Sequence, residues 1–81
     1  MNKIGKYLKQ RRVDSELTQH DLMKTLGFSS PQYISNVERG ICGPPINQLY
    51  NWCMTVGANR EYIYNLLLDK QKEKYKKALK P

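Results

Sequence analysis

The chain has 81 residues, enough for one domain with a modest core, and fourteen Lys and Arg against seven Asp and Glu give it a net charge of +7. Two cysteines, Cys42 and Cys53, and a lone histidine, His20, are too few for a disulfide scaffold and match no zinc spacing, so no metal and no cofactor is expected. No apolar run is long enough to span a membrane and no signal peptide is visible, which points to a reducing cytoplasm with two small, semi-buried thiols.

Helical periodicity dominates, with Gly and Pro between the periodic segments and no alternating strand pattern. A first helix is expected to start after Asn2 as N-cap, to bury Ile4, Tyr7 and Leu8 along one face, and to fade near Val13–Asp14. Leu17 anchors the following turn. Thr18 caps a second helix, with Asp21 three residues on as a capping-box variant; Leu22 and Leu26 face inward beside Met23, and Gly27 stops it. Ser30 caps a third helix whose first position is Pro31, and Gly40 ends it. Pro44 and Pro45 launch a fourth helix carrying Ile46, Leu49, Trp52, Cys53 and Val56, which stops at Gly57. Asn59 caps a fifth with Tyr62, Ile63, Leu66 and Leu67. The lysine-rich end extends that helix, with Leu68, Gln71, Tyr75 and Leu79 as one stripe. The expected architecture is all-α: a five-helix domain over residues 1–68 and a basic, helical C-terminal extension over 69–81.

Charge is unevenly spread. Residues 1–12 hold five basic groups and no acid, residues 70–81 hold six lysines and one glutamate, and residues 13–69 hold three basic groups against six acids. Basic ends suit an anionic partner, most often nucleic acid, although a solvated face and a soluble tail have the same composition. The middle is therefore where any selectivity has to come from. On a wheel at about 100° per residue, Ile34 and Val37 set the inward direction of the third helix, with Tyr33 and Glu38 on its flanks. Gln32, Ser35, Asn36 and Arg39 face out. Gln and Asn can bond adenine bidentately, Arg guanine, and Ser several groups, whereas an ordinary solvent face on a basic protein would hold Lys and Glu. By composition alone, a plain polar surface accounts for these residues as well as base reading does.

The stretch Leu17–Gly40, LTQHDLMKTLGFSSPQYISNVERG, resembles the helix-turn-helix of the phage repressor and Cro family, the XRE-type regulators, which share a Leu-Thr-Gln-x-Glu-Leu opening, a glycine turn, a Ser-x-x-Ile-Ser-x-x-Glu-like recognition helix and a closing glycine. Asp21 stands where glutamate is usual and Met23 where a small alanine is common. The Gly27–Glu38 stretch is a little longer than in the shorter members, and the loop GICGPP over residues 40–45 lacks the basic groups often found there. The likeness runs over residues 3–67, specific in the middle third and compatible elsewhere. It implies a lambda-repressor-like fold and a Cro-like repressor bound as a homodimer to a palindromic operator in double-stranded DNA, with helix 31–39 in the major groove. By that resemblance Gln32 and Asn36 read bases. Gln19 touches a phosphate at the start of the second helix near Thr18, and Ser30 and Tyr33 lie close to the DNA. Arg12 pairs with Glu38 as a brace. The setting would be the nucleoid of a bacterial or phage-infected cell.

Tyr62, Tyr64, Leu67 and Leu68 are the candidates for the subunit contact, since so short a chain has little core left to cover them. The lysine end has three readings that stay open: DNA backbone contact, dimer extension or a mobile tail. Neither paired carboxylates, a Cys–His constellation nor a phosphate loop is present, which argues against an enzyme, and no small-molecule ligand is expected. Aromatic residues at core spacings argue against an RNA-stacking platform. The alternative on the same scaffold is an antitoxin or accessory protein-interaction module.

Overall fold

Side-chain caps open the second and fifth helices, and glycines in left-handed geometry close the second, third and fourth. The computed structural model describes the backbone of residues 2–80 and the side chains of residues 3–80, so the expected Asn2 cap lies outside the described side chains. It is all-α among these residues, with six α-helices rather than five: α1 (Asn2–Asp14), α2 (Gln19–Leu26), α3 (Gln32–Glu38), α4 (Leu49–Val56), α5 (Arg60–Leu66) and α6 (Asp69–Tyr75). Short 3₁₀ turns at Ile46–Gln48 and Lys77–Leu79 precede α4 and follow α6.

Thr18 and Asp21 form the expected capping box. The Asp21 N–H donates to Thr18 Oγ1 and the Thr18 N–H to Asp21 Oδ2, both at 3.0 Å. Gly27 at φ 77° ends α2, and the Phe28 N–H reaches back to the Met23 carbonyl at 3.0 Å. α3 starts one residue later than expected, with Pro31 at the cap position in helical geometry and Gln32 first in the helix; Ser30 Oγ still accepts from the Gln32 N–H at 3.1 Å. At the other end of α3 the Gly40 N–H bonds the Val37 carbonyl and the Ile41 N–H bonds the Asn36 carbonyl, the paired bonds that close a helix on a left-handed residue. Asn59 Oδ1 caps α5 by accepting from the Tyr62 N–H at 2.9 Å.

The core gathers Ile4, Leu8, Leu22, Leu26, Ile34, Val37, Leu49, Trp52, Cys53, Val56, Ile63 and Leu67, with Tyr75 and Leu79 added from the C-terminal end. Trp52 sits fully buried at its centre, and Phe28 bridges it to Tyr33 with ring centroids 6.2 and 5.2 Å apart. A buried side chain of this size contributes about 1.5–3 kcal/mol or more, so this cluster is the main stabilising element of a small domain. Gly5 lets α1 lie directly on the end of α3, because a Cβ there would run into the Val37 and Glu38 carbonyl oxygens. The far end of α1 is pinned to α4 by Ser15 Oγ, which donates to the Val56 carbonyl at 3.1 Å.

The C-terminal end departs from the expected continuous helix. Leu68 leaves helical geometry at ψ 157°, so the chain turns sharply between α5 and α6. Gln71 Oε1 accepts from the Leu68 N–H, and α6 then returns to the body. Tyr75 buries its ring and its hydroxyl donates to the Pro44 carbonyl at 3.2 Å, while Arg60 Nη1 donates to the Leu79 carbonyl at 3.1 Å. Residues 69–80 therefore close one side of the same core. Ile46 is also displaced from its expected place. The 3₁₀ turn after Pro45 rotates it outward, to 41% exposure, and Leu49 becomes the first buried residue of that segment.

Candidate nucleic-acid interface

The α2–turn–α3 unit is held from behind by a buried ion pair. Arg12 Nε and Nη2 donate to the two Glu38 carboxylate oxygens at 2.7 and 3.1 Å, and Arg12 Nη1 donates to the Leu17 carbonyl at 2.7 Å. Gln19 Nε2 adds a bond to Glu38 Oε1 at 3.0 Å. One carboxylate thus ties α1, α2 and α3 together, and the paired geometry compensates for burying charge. The expected brace of Arg12 and Glu38 is present. Glu38 is more deeply buried than its flank position on the wheel suggested, because its partner comes from α1 rather than from solvent. Gln19 is drawn inward to this network and keeps one amide hydrogen for an outside acceptor.

In front of the brace, α3 buries Ile34 and Val37 and turns its polar residues outward. Gln32 and Arg39 are exposed, Ser35 and Asn36 half-buried. Gln32 Nε2 donates to Asn36 Oδ1 at 2.9 Å, and Arg39 Nη2 donates to the same oxygen at 3.0 Å. The face therefore holds three polar side chains in one hydrogen-bonded row, without a lysine. Tyr33 lies half-buried against Phe28, and desolvation raises its hydroxyl above the ordinary tyrosine value, so it stays a neutral donor at physiological pH.

Thr18 and Ser30 are exposed at the starts of α2 and α3, where both hydroxyl oxygens already accept backbone N–H groups. Their hydroxyl hydrogens remain to donate outward. The Asp21 carboxylate also lies at the start of α2, and its pKa is lowered chiefly by the Thr18 N–H it accepts. The backbone N–H groups of Gln19 and His20 have no intrahelical partner, while the Asp21 charge opposes an anion at this helix start. The loop over 40–45 carries an exposed Ile41 and no cation, and the Tyr75 hydroxyl on Pro44 steadies it.

The four candidate subunit-contact residues divide. Tyr62 and Leu68 are exposed at 48% and 71%, and Tyr64 is half-buried. Leu67 is buried in the chain's own core, because the turn into α6 folds over it, and it is not available to a partner. Tyr62 lies against Tyr7 with centroids 4.6 Å apart, and the Tyr7 hydroxyl accepts from the Asn59 N–H at 2.8 Å. Tyr64 carries the Lys72 ammonium over its ring at 5.4 Å.

Sequence reasoning passed over Gly5 and Phe28, and placed Tyr75 on the stripe of an extended fifth helix rather than in the core where it lies. An isolated glycine inside a helical pattern was the signal for Gly5, since it is otherwise an unfavourable helix residue. Cys53 is buried and its thiol is pushed up to about 11, while Cys42 is half-buried; both are free. Among the described residues no cluster of His, Cys, Asp or Glu is gathered to hold a metal, and no helix is long and apolar enough to cross a membrane. No family model, curated protein or solved structure matches the chain.

Proposed function

We propose that this chain is a sequence-specific regulator that binds double-stranded DNA, with α3 lying in the major groove. The observation that carries this reading is the outward face of α3: Gln32, Asn36 and Arg39 joined by hydrogen bonds, turned outward, and backed by a buried Arg12–Glu38–Gln19 brace. A packing helix needs no such brace behind a polar face, and a merely soluble one needs no ordered amides. The likeness of Leu17–Gly40 to the repressor and Cro helix-turn-helix, with the lambda-repressor-like arrangement it implies, supports the same reading.

Lysines at the two ends supply salt-dependent attraction to phosphates, while Gln32, Asn36 and Arg39, with Ser35 beside them, supply discrimination. An α3 of seven residues is about 10 Å long and covers only a few base pairs. The chain's longest extent is 32 Å, so two such helices one DNA turn apart, about 34 Å, require two copies. A homodimer on a palindromic operator follows, with Tyr62, Leu68 and the edge of Tyr64 as the surface for the contact. Occupancy of a promoter would then exclude polymerase, in the manner of a Cro-like repressor in a bacterial or phage-infected cell.

Titration with random duplex DNA at low and moderate salt tests the class. Binding that weakens steeply with salt supports it. Absence of salt-sensitive binding overturns it and favours the antitoxin or accessory-module alternative. Gln32→Ala then tests readout: a loss of about 1–3 kcal/mol on the selected site, with binding to scrambled DNA unchanged, is expected. Equal losses on both would overturn base reading by Gln32.

A further inference from the structure

The residues on the outer face of α3 are not independent of one another. Asn36 Oδ1 accepts from Gln32 Nε2 at 2.9 Å and from Arg39 Nη2 at 3.0 Å, so both of its lone pairs are engaged. Asn36 then offers its surroundings only the two N–H groups of Nδ2. Gln32 gives one amide hydrogen to Asn36 and keeps Oε1 together with the second hydrogen, an acceptor and a donor side by side. Arg39 gives one of its five N–H groups and keeps the rest.

We infer that Gln32, Asn36 and Arg39 act as one coupled reading unit whose unspent groups select adenine opposite Gln32 and bases that offer acceptors and no donor, guanine or thymine, opposite Asn36 and Arg39. This rests on the DNA-binding reading above and specifies its substrate. Adenine offers N7 as acceptor and N6 as donor, which match the remaining Gln32 pair. Guanine offers N7 and O6, and thymine O4, all acceptors, which match Asn36 Nδ2 and the Arg39 guanidinium. Asparagine by residue type suits adenine, but that pairing needs the carbonyl oxygen that Gln32 and Arg39 already share. The acceptor preference at Asn36 therefore comes from its neighbours. Two consequences follow. Removing Asn36 releases Gln32 and Arg39 and blurs the positions they read. Changing its outward group while keeping its inward oxygen alters its own position alone.

The test is selection of bound sequences from a randomised duplex pool by the wild-type chain, Asn36→Asp and Asn36→Ala. Asn36→Asp keeps an oxygen for Gln32 and Arg39 and replaces the outward amine with an acceptor. It is expected to exchange guanine or thymine for a base offering a major-groove donor, cytosine or adenine, at one position, with adenine opposite Gln32 retained. Asn36→Ala is expected to lower preference roughly tenfold at two or more neighbouring positions. The coupled unit is overturned if Asn36→Ala affects one position only, or if the wild type prefers adenine at the position that Asn36→Asp alters. In both cases DNA reading itself stands. A wild-type chain that enriches no sequence overturns the DNA reading and this inference together.

Discussion

At Glu38 a buried carboxylate accepts three hydrogen bonds, two from Arg12 and one from Gln19, and so carries the alignment of three helices. Removing one partner leaves the other charge buried and alone. Glu38→Ala is expected to lower stability by about 3–5 kcal/mol, a large part of what a small domain has. The double change Arg12→Met with Glu38→Leu is expected to recover much of that loss, since it removes both charges. Urea unfolding followed by Trp52 fluorescence reads both. If the single variant unfolds at the wild-type urea midpoint, the brace carries no weight. Asp21 gives a pH dependence of a different kind. Its folded pKa lies below the ordinary carboxylate value, so its contribution is present above that value and is lost as pH falls through the lowered one. Asp21→Asn is expected to flatten the acid limb of stability against pH, and an unchanged acid limb would show that the capping carboxylate does not stabilise α2. The thiols make a third case at this scale. Iodoacetamide near neutral pH is expected to label Cys42 well before Cys53, whose thiol is buried and raised to about 11. Mass spectrometry of the partly labelled chain checks the order.

At the scale of elements, the crossing of α1 over α3 and the turn between α2 and α3 fail in different ways. Gly5→Ala forces a methyl group against the Val37 and Glu38 carbonyls, and separating the helices is expected to cost about 1–3 kcal/mol. Gly27→Ala meets no atom within 4 Å, and its cost is confined to the left-handed backbone, about 1–2 kcal/mol. On the proposed function the two are distinguished by DNA binding per folded molecule: Gly5→Ala is expected to displace α3 and weaken specific binding, and Gly27→Ala to leave it near wild type. The caps and stops of α2, α3 and α5 were legible because they are local: Thr18 with Asp21, Ser30 with Pro31, Asn59, and the glycines at 27 and 40 act within a few residues of themselves. The inner and outer faces of α3 were legible from periodicity. The direction of the chain after Leu67 was not. A lysine-rich segment reads as a solvated extension, and only the three-dimensional placement of Pro44 and Arg60 shows where Tyr75 and Leu79 return. The Gln32–Asn36–Arg39 row lay between these cases, since its spacing was visible but the direction of its hydrogen bonds was not.

For the whole molecule, basic residues concentrate at the two ends of the sequence, and the C-terminal end belongs both to that charge distribution and to the core. Truncation before Asp69 removes Tyr75 and Leu79 from the core and is expected to destabilise the fold, so it cannot isolate the role of the lysines. Substitution of exposed Lys70, Lys76 and Lys77 by Ala leaves those anchors in place. If these lysines face phosphates, specific and random duplexes weaken alike, and the salt slope falls by about one for each lysine–phosphate pair removed. An unchanged slope assigns them to solvation. The central claim, that the outward face of α3 meets DNA, is tested most directly by heteronuclear NMR of the chain titrated with its selected duplex. The side-chain amides of Gln32 and Asn36 and the backbone of residues 32–39 are expected to shift most, with Tyr62 and Leu68 following the dimer contact. Unperturbed Gln32 and Asn36 amides in a saturated complex would contradict it.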